Sequence, residues 1–126
     1  MDKICEVSDP ILVFKQLKKY YGDEVDLYLS SSKHKKYMVF DEDGKKVHFG
    51  IILYQDYTTH QNKKRRENYL KRASNINGKW KQNPKWKRAS SPNMLSIILL
   101  WDGYDYLKKE GIILSEQVVL RRCVCI

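Results

Sequence analysis

Between residues 61 and 88 the chain carries eleven lysines and arginines against a single acid, Glu67. Burying an unpaired ion costs several kcal/mol, so this stretch belongs at a surface and the core has to come from the remainder. That remainder is close to neutral, with 13 basic and 14 acidic residues, so the net charge of +9 resides in one segment. Of the 126 residues 42% are apolar, enough for one domain that buries about two-thirds of its unfolded surface. A single domain over 1–126 is expected, with 61–88 as a basic aromatic helix and loop within it. The longest apolar run, Met94 to Trp101, is far shorter than the ~20 residues of a membrane span, so no span is expected. The opening Met1-Asp2-Lys3-Ile4-Cys5-Glu6 lacks the apolar core and cleavage site of a secretory signal, and synthesis in the cytosol is expected.

Local punctuation divides the chain. Asp9-Pro10 pairs a side-chain acceptor with a proline at the first helical position, and Ile11, Phe14, Leu17 and Tyr21 then fall near one face of a helix that Gly22 ends. Residues 25–29 read as a short strand. The β-prone runs 37–40 and 46–53 flank Asp41-Glu42-Asp43-Gly44-Lys45, whose Asp and Gly suit a tight turn, and predict a hairpin. Thr58 or Thr59 is expected to cap a basic helix from Gln61 to about Ser74, with Tyr69, Leu70 and Ala73 turned inward and Asn75-Ile76-Asn77-Gly78 as its stop. Residues 79–91 show no period and read as an ordered loop. Ser91-Pro92-Asn93 caps a helix through Trp101 that is apolar on nearly every side and therefore buried; Asp102-Gly103 breaks it, 104–109 adds a helical turn, and 118–126 is β-prone. The expected fold class is α+β: a small single domain with a β-hairpin sheet packed by a basic helix and a buried apolar helix.

Catalytic constellations are hard to assemble from this sequence. His34, His48 and His60 lie far apart, and Cys123 and Cys125 are separated by one residue, unlike the C-x₂₋₄-C pairs of structural zinc sites. His48, within an apolar strand, reads as a hydrogen-bonded structural residue. Together with Asp56 and His60 it would echo a ββα nuclease finger, but neither a full ligand set nor a general base can be placed. No glycine-rich phosphate loop is present. The expectation is a non-enzymatic protein without cofactor or metal. The terminal Cys123-Val124-Cys125-Ile126 matches the C-a-a-X prenylation pattern only formally, because its interior Cys and final Ile are unfavourable there.

The basic segment interleaves its charges with Tyr69, Trp80 and Trp86. Such a surface can neutralise phosphates and stack bases, as single-stranded nucleic-acid grooves do. It equally suits an acidic protein surface, where Arg, Trp and Tyr dominate binding energy. The expected partner-binding residues are Lys63, Lys64, Arg65, Arg66, Tyr69, Lys71, Arg72, Lys79, Trp80, Lys81, Lys85, Trp86, Lys87 and Arg88.

The series Lys36-Tyr37-Met38-Val39, Asp43-Gly44-Lys45-Lys46-Val47-His48-Phe49-Gly50, Asp56-Tyr57-Thr58, Arg65-Arg66 and Tyr69-Leu70-Lys71-Arg72-Ala73-Ser74-Asn75-Ile76 is followed by Gly78, Trp80, Asn83-Pro84, Ser91-Pro92-Asn93-Met94-Leu95-Ser96-Ile97 and Leu99-Leu100-Trp101. This pattern resembles a small family of basic proteins from large icosahedral double-stranded DNA viruses. It covers 36–101, and Lys85 to Ala89 lengthens the usual gap before Ser91-Pro92. The resemblance implies a viral setting: a non-enzymatic virion structural protein, a minor capsid protein that bridges or cements larger capsid subunits through acidic surfaces of those partners. It further implies location in the virion, with host cytoplasm as the site of assembly. A sequence-nonspecific nucleic-acid-binding protein of the same virus is the alternative. Reduced thiols are the default in the cytosol, and a disulfide from Cys5 or Cys123 to a neighbouring chain is the alternative in a particle.

Overall fold

A computed structural model of the chain describes residues 2–76 and 91–112. Their order is α1 (Asp2–Val7), α2 (Pro10–Tyr21), β1 (Tyr28–Leu29), β2 (Lys35–Phe40), β3 (Lys46–Ile51), α3 (Tyr57–His60), α4 (Lys63–Ser74), α5 (Pro92–Leu95), which runs on as a π-helical turn over Ser96–Leu100, and α6 (Tyr104–Lys109). The fold class is α+β, a small domain in which helices cover a three-stranded antiparallel sheet of order β1-β2-β3.

The hairpin forms where the turn chemistry places it. Asp41 Oδ1 accepts from the backbone N–H of Asp43 and Lys45, both at 2.9 Å, and Gly44 adopts φ +79°. The register pairs Tyr37 with Phe49 and Val39 with Val47, which puts two aromatic and two β-branched side chains on one buried face. On the opposite face His48 stands across from Met38, and its Nδ1 lies 2.8 Å from Ser30 Oγ, the structural hydrogen bond expected of it. The short strand anticipated over 25–29 contracts to Tyr28–Leu29.

Asp9 caps α2 as anticipated, its carboxylate accepting from Ile11 and Leu12 N–H. The inward face differs from the expected one. Val13, Leu17 and Tyr21 are buried, whereas Ile11 and Phe14 are 68% and 47% exposed. Apolar residues at 11–14 offer two overlapping stripes, and the choice falls to packing: α2 meets the π turn 96–100, which seats Val13 and Leu17. Asp2–Val7, a stretch from which no element was anticipated, forms α1, and Ile4 and Val7 join the core.

The basic helix is also capped differently. Asp56, not a threonine, caps the four-residue α3 by accepting from Thr58 N–H at 3.0 Å. Gln61 then turns through φ +54°, and Asn62 caps α4 through Arg65 N–H. Thr58 instead uses its hydroxyl, which donates to Asp56 Oδ1 and accepts from Asp9 N–H at 2.9 Å. Leu70 and Ala73 point into the core as expected. Ser91 caps α5, and residues 94, 95 and 97–100 are all buried, the apolar helix anticipated there. The expected loop over 79–91 falls outside the described residues apart from Ser91, and the expected strand over 118–126 lies wholly outside them.

Candidate functional site: a cationic helix and its groove

Helix α4 has two chemically different faces. Inward, Leu70, Ala73 and Ser74 are buried. Outward, Lys63, Lys64, Arg65, Lys71 and Arg72 are exposed, and none forms an ion pair with a described residue. Four consecutive cations, Lys63 to Arg66, occupy the first turn, which contains no acid. The helix dipole is positive at that end, so cations there are disfavoured by about 0.3–1 kcal/mol each at low salt.

Arg66 departs from its neighbours. Its Nε donates to Trp101 O at 3.0 Å and its Nη2 to Asp102 O at 2.6 Å, while the guanidinium lies 5.5 Å from the Tyr57 ring centre. It thereby satisfies carbonyls at the end of the π turn, where the backbone leaves acceptors unpaired. Expected to bind a partner, it is engaged in holding the fold. Tyr69 is likewise partly committed, because its ring stacks on Trp101 at 4.2 Å and 10°. Burial pushes its phenol up to about 12. The aromatic row continues through His60, tilted against Trp101 at 5.2 Å, to Tyr57, which it meets edge-on, with Arg72 5.7 Å from the Tyr69 ring at the other end.

Beside this aromatic row, between α4, α5 and the end of β3, runs a groove of about 590 Å³. Arg65, Asn68, Tyr69 and Arg72 line it from α4, Asn93 and Ser96 from the α5 side, and Lys35, Ile51 and Tyr54 from the sheet side; among the described residues no carboxylate lines it. Lys36 reaches its floor but is neutralised. Its Nζ lies 3.0 Å from Asp56 Oδ2, and both side chains are almost fully buried. Burial pushes the Lys36 ammonium below the usual lysine range, and the Asp56 carboxylate opposes that shift. Gly50 makes room for this pair, because a Cβ there would sit 2.9 Å from Leu100 Cδ1 and 3.1 Å from Lys36 Cδ.

The residues of the nuclease-like reading are thus placed apart in role: Asp56 in a buried ion pair, His48 against Ser30, and His60 accepting from Asn62 N–H at its Nδ1. Among the described residues no group of three His, Cys, Asp or Glu could hold a metal ion, and no helix is long and apolar enough to cross a membrane. Cys5 is an exposed free thiol; Cys123 and Cys125 lie outside the described residues.

Of the expected partner-binding residues, the structure brings Arg65, Tyr69 and Arg72 together at the groove. Lys63, Lys64 and Lys71 stand exposed beside it. Lys79, Trp80, Lys81, Lys85, Trp86, Lys87 and Arg88 fall outside the described residues. Sequence reasoning missed Lys35, Asn93 and Trp101 as groove residues, because each reaches it from an element remote in sequence. A cue existed for Trp101 alone, an amphipathic aromatic closing an apolar run.

Residues 25–73 match a family described as a family of unknown function (DUF5754). The matched stretch contains the whole sheet, α3 and nearly all of α4, and stops short of the α5 side of the groove. No curated protein and no solved structure matches the chain.

Proposed function

We propose that this protein is a binding module that docks on an acidic partner through the outward face of α4, and that it serves as a minor capsid protein bridging larger capsid subunits. One observation carries the docking reading. The first turn of α4 stacks four cations on the positive end of its own helix, and only Arg66 among them is used by the fold. Three cations, Lys63, Lys64 and Arg65, that lower helix stability and make no ion pair among the described residues are explained by an external anion. The capsid assignment is supported by the resemblance to proteins of large icosahedral DNA viruses.

Purified virus particles separated into shell and genome-containing core, with mass spectrometry for this protein in each, test the reading. Recovery with the shell after nuclease and high salt is the expected result. Release with the genome would transfer the cationic face to nucleic acid, and absence from the particle would overturn the virion role. The joint variant Lys63→Glu/Lys64→Glu should fold normally and fail to enter shells.

A further inference from the structure

We propose that the groove beside α4 takes an extended segment of a partner protein with the pattern acidic–x–apolar–x–acidic, its two carboxylates on Arg65 and Arg72 and its apolar side chain against the Tyr69–Trp101 stack. This rests on the docking reading above and names what is docked.

Charge is the first argument. Among the described residues the groove wall presents Arg65, Arg72 and Lys35 with no carboxylate, while Lys36, whose ammonium is neutralised by Asp56, lies beneath. Guanidinium forks match carboxylates in a two-bond geometry that an ammonium lacks.

Spacing is the second. Arg65 and Arg72 are seven residues apart on α4, about 10.5 Å along the axis at ~1.5 Å per residue. In an extended chain the side chains at i, i+2 and i+4 share one face, with the outer two about 14 Å apart. The difference of about 3 Å is taken up by two long, exposed arginine side chains, and the central residue falls on Tyr69, the groove aromatic between them. The exposed Ile51 and Tyr54 add apolar surface on the facing wall.

The third argument separates a peptide from a phosphate backbone. Asn93 Nδ2 donates to Ala73 O and Gln55 Nε2 to Glu6 O. Both side chains line the groove, and among the described residues no hydrogen bond is made to either amide oxygen, which leaves each able to accept. A peptide backbone supplies N–H donors to such oxygens; a phosphodiester backbone only accepts, and would meet them unfavourably. The volume, about 590 Å³, lies in the ordinary range for an enclosed ligand.

The test titrates the full chain with acetyl-Glu-Ser-Leu-Ser-Glu-amide by calorimetry at about 0.15 M salt, where charges beyond ~8 Å are largely screened. Saturable one-to-one binding is expected. Arg65→Glu and Arg72→Glu should each weaken it about tenfold or more, and Lys63→Glu/Lys64→Glu by less than about threefold. Gln in place of both peptide Glu residues, or Ser in place of the central Leu, should weaken binding without any change to the protein. No binding by the unaltered chain, or binding indifferent to Arg65 and Arg72, overturns the proposal. So does an eight-nucleotide oligothymidylate that displaces the peptide at lower concentration. The two readings fail separately: shell entry blocked at Lys63 and Lys64 but unaffected by Arg65→Glu/Arg72→Glu would overturn the groove alone, whereas absence from shells with peptide binding intact would overturn only the capsid role.

Discussion

The buried Lys36–Asp56 pair ties the hairpin to the start of α3, and a mutant cycle across it measures how far the domain depends on that tie. Its side chains are 2% and 1% exposed, so neither ion has water in reserve. In Asp56→Asn the amide can still accept from Thr58 N–H, preserving the cap, but Lys36 is left as an uncompensated buried ammonium. Breaking a buried pair from one side costs about 3–5 kcal/mol. Lys36→Met strands the carboxylate instead; Thr58 still donates to it through N–H and hydroxyl, so the cost should fall at the lower end, about 3 kcal/mol. A domain of this size has about 5–15 kcal/mol in all, and both single variants should remain folded at low temperature with urea midpoints well below that of the parent. The joint Lys36→Met/Asp56→Asn variant removes both charges while its amide can still accept from Thr58 N–H, and it should lie within about 2 kcal/mol of the parent. The expected non-additivity is therefore about 4 kcal/mol or more, read from urea unfolding followed by circular dichroism at a fixed m-value. A pH signature accompanies it. Burial already depresses the Lys36 pKa, and Asp56 opposes that depression, so Asp56→Asn should lower it further. A lysine whose folded pKa lies below its unfolded value of about 10.4 gains stability as pH rises between the two; the deficit of Asp56→Asn against the parent should shrink from pH 7 toward pH 10. Single variants costing under 1 kcal/mol, or a joint variant costing their sum, would refute this reasoning.

Three further outcomes are expected. Gly103→Ala would place a Cβ 2.6 Å from both Ile97 Cγ2 and Leu70 Cδ2; a destabilisation of about 1–3 kcal/mol is expected for such overpacking, measured as a fall in Tm, and an unchanged Tm would contradict the tight α4–α6 junction. Arg66→Lys cannot reproduce the fork to Trp101 O and Asp102 O and should cost about 1–3 kcal/mol, whereas Lys63→Glu/Lys64→Glu, which replaces two cations by anions at the positive end of α4, should raise stability by about 1 kcal/mol or more; urea titration separates the two. Burial raises the phenol pKa of Tyr21 and Tyr37 and brings Tyr69 to about 12. A group whose folded pKa exceeds its unfolded one contributes stability below the unfolded value, about 10 for tyrosine, and loses it as pH climbs through the folded value. Absorbance at 295 nm should therefore show a fraction of the nine tyrosines ionising only with unfolding, and smooth titration of all nine near pH 10 in a folded chain would count against it.

The division between local and tertiary information follows from where each energy acts. Asp9-Pro10, Asp41 with Gly44, Ser91-Pro92 and the break at Asp102-Gly103 work within four or five residues, through a cap, a turn or a left-handed backbone, so the sequence by itself determined where α2, the hairpin, α5 and α6 begin or end. It determined equally that the cations cluster on one helix and that 94–100 is core, because charge and hydropathy there are one-sided. Three things were left to the tertiary structure. Which stripe of α2 turns inward depended on the surface it met, since Ile11 and Phe14 carry as much apolar area as Val13 and Leu17. The roles of charged residues depended on partners far along the chain: Lys36 twenty residues from Asp56, Arg66 thirty-five from Trp101. The groove itself exists only where α4, α5 and the end of β3 converge. A residue's charge is encoded locally, but whether that charge is neutralised inside or offered outside is decided by distances that only the folded chain sets.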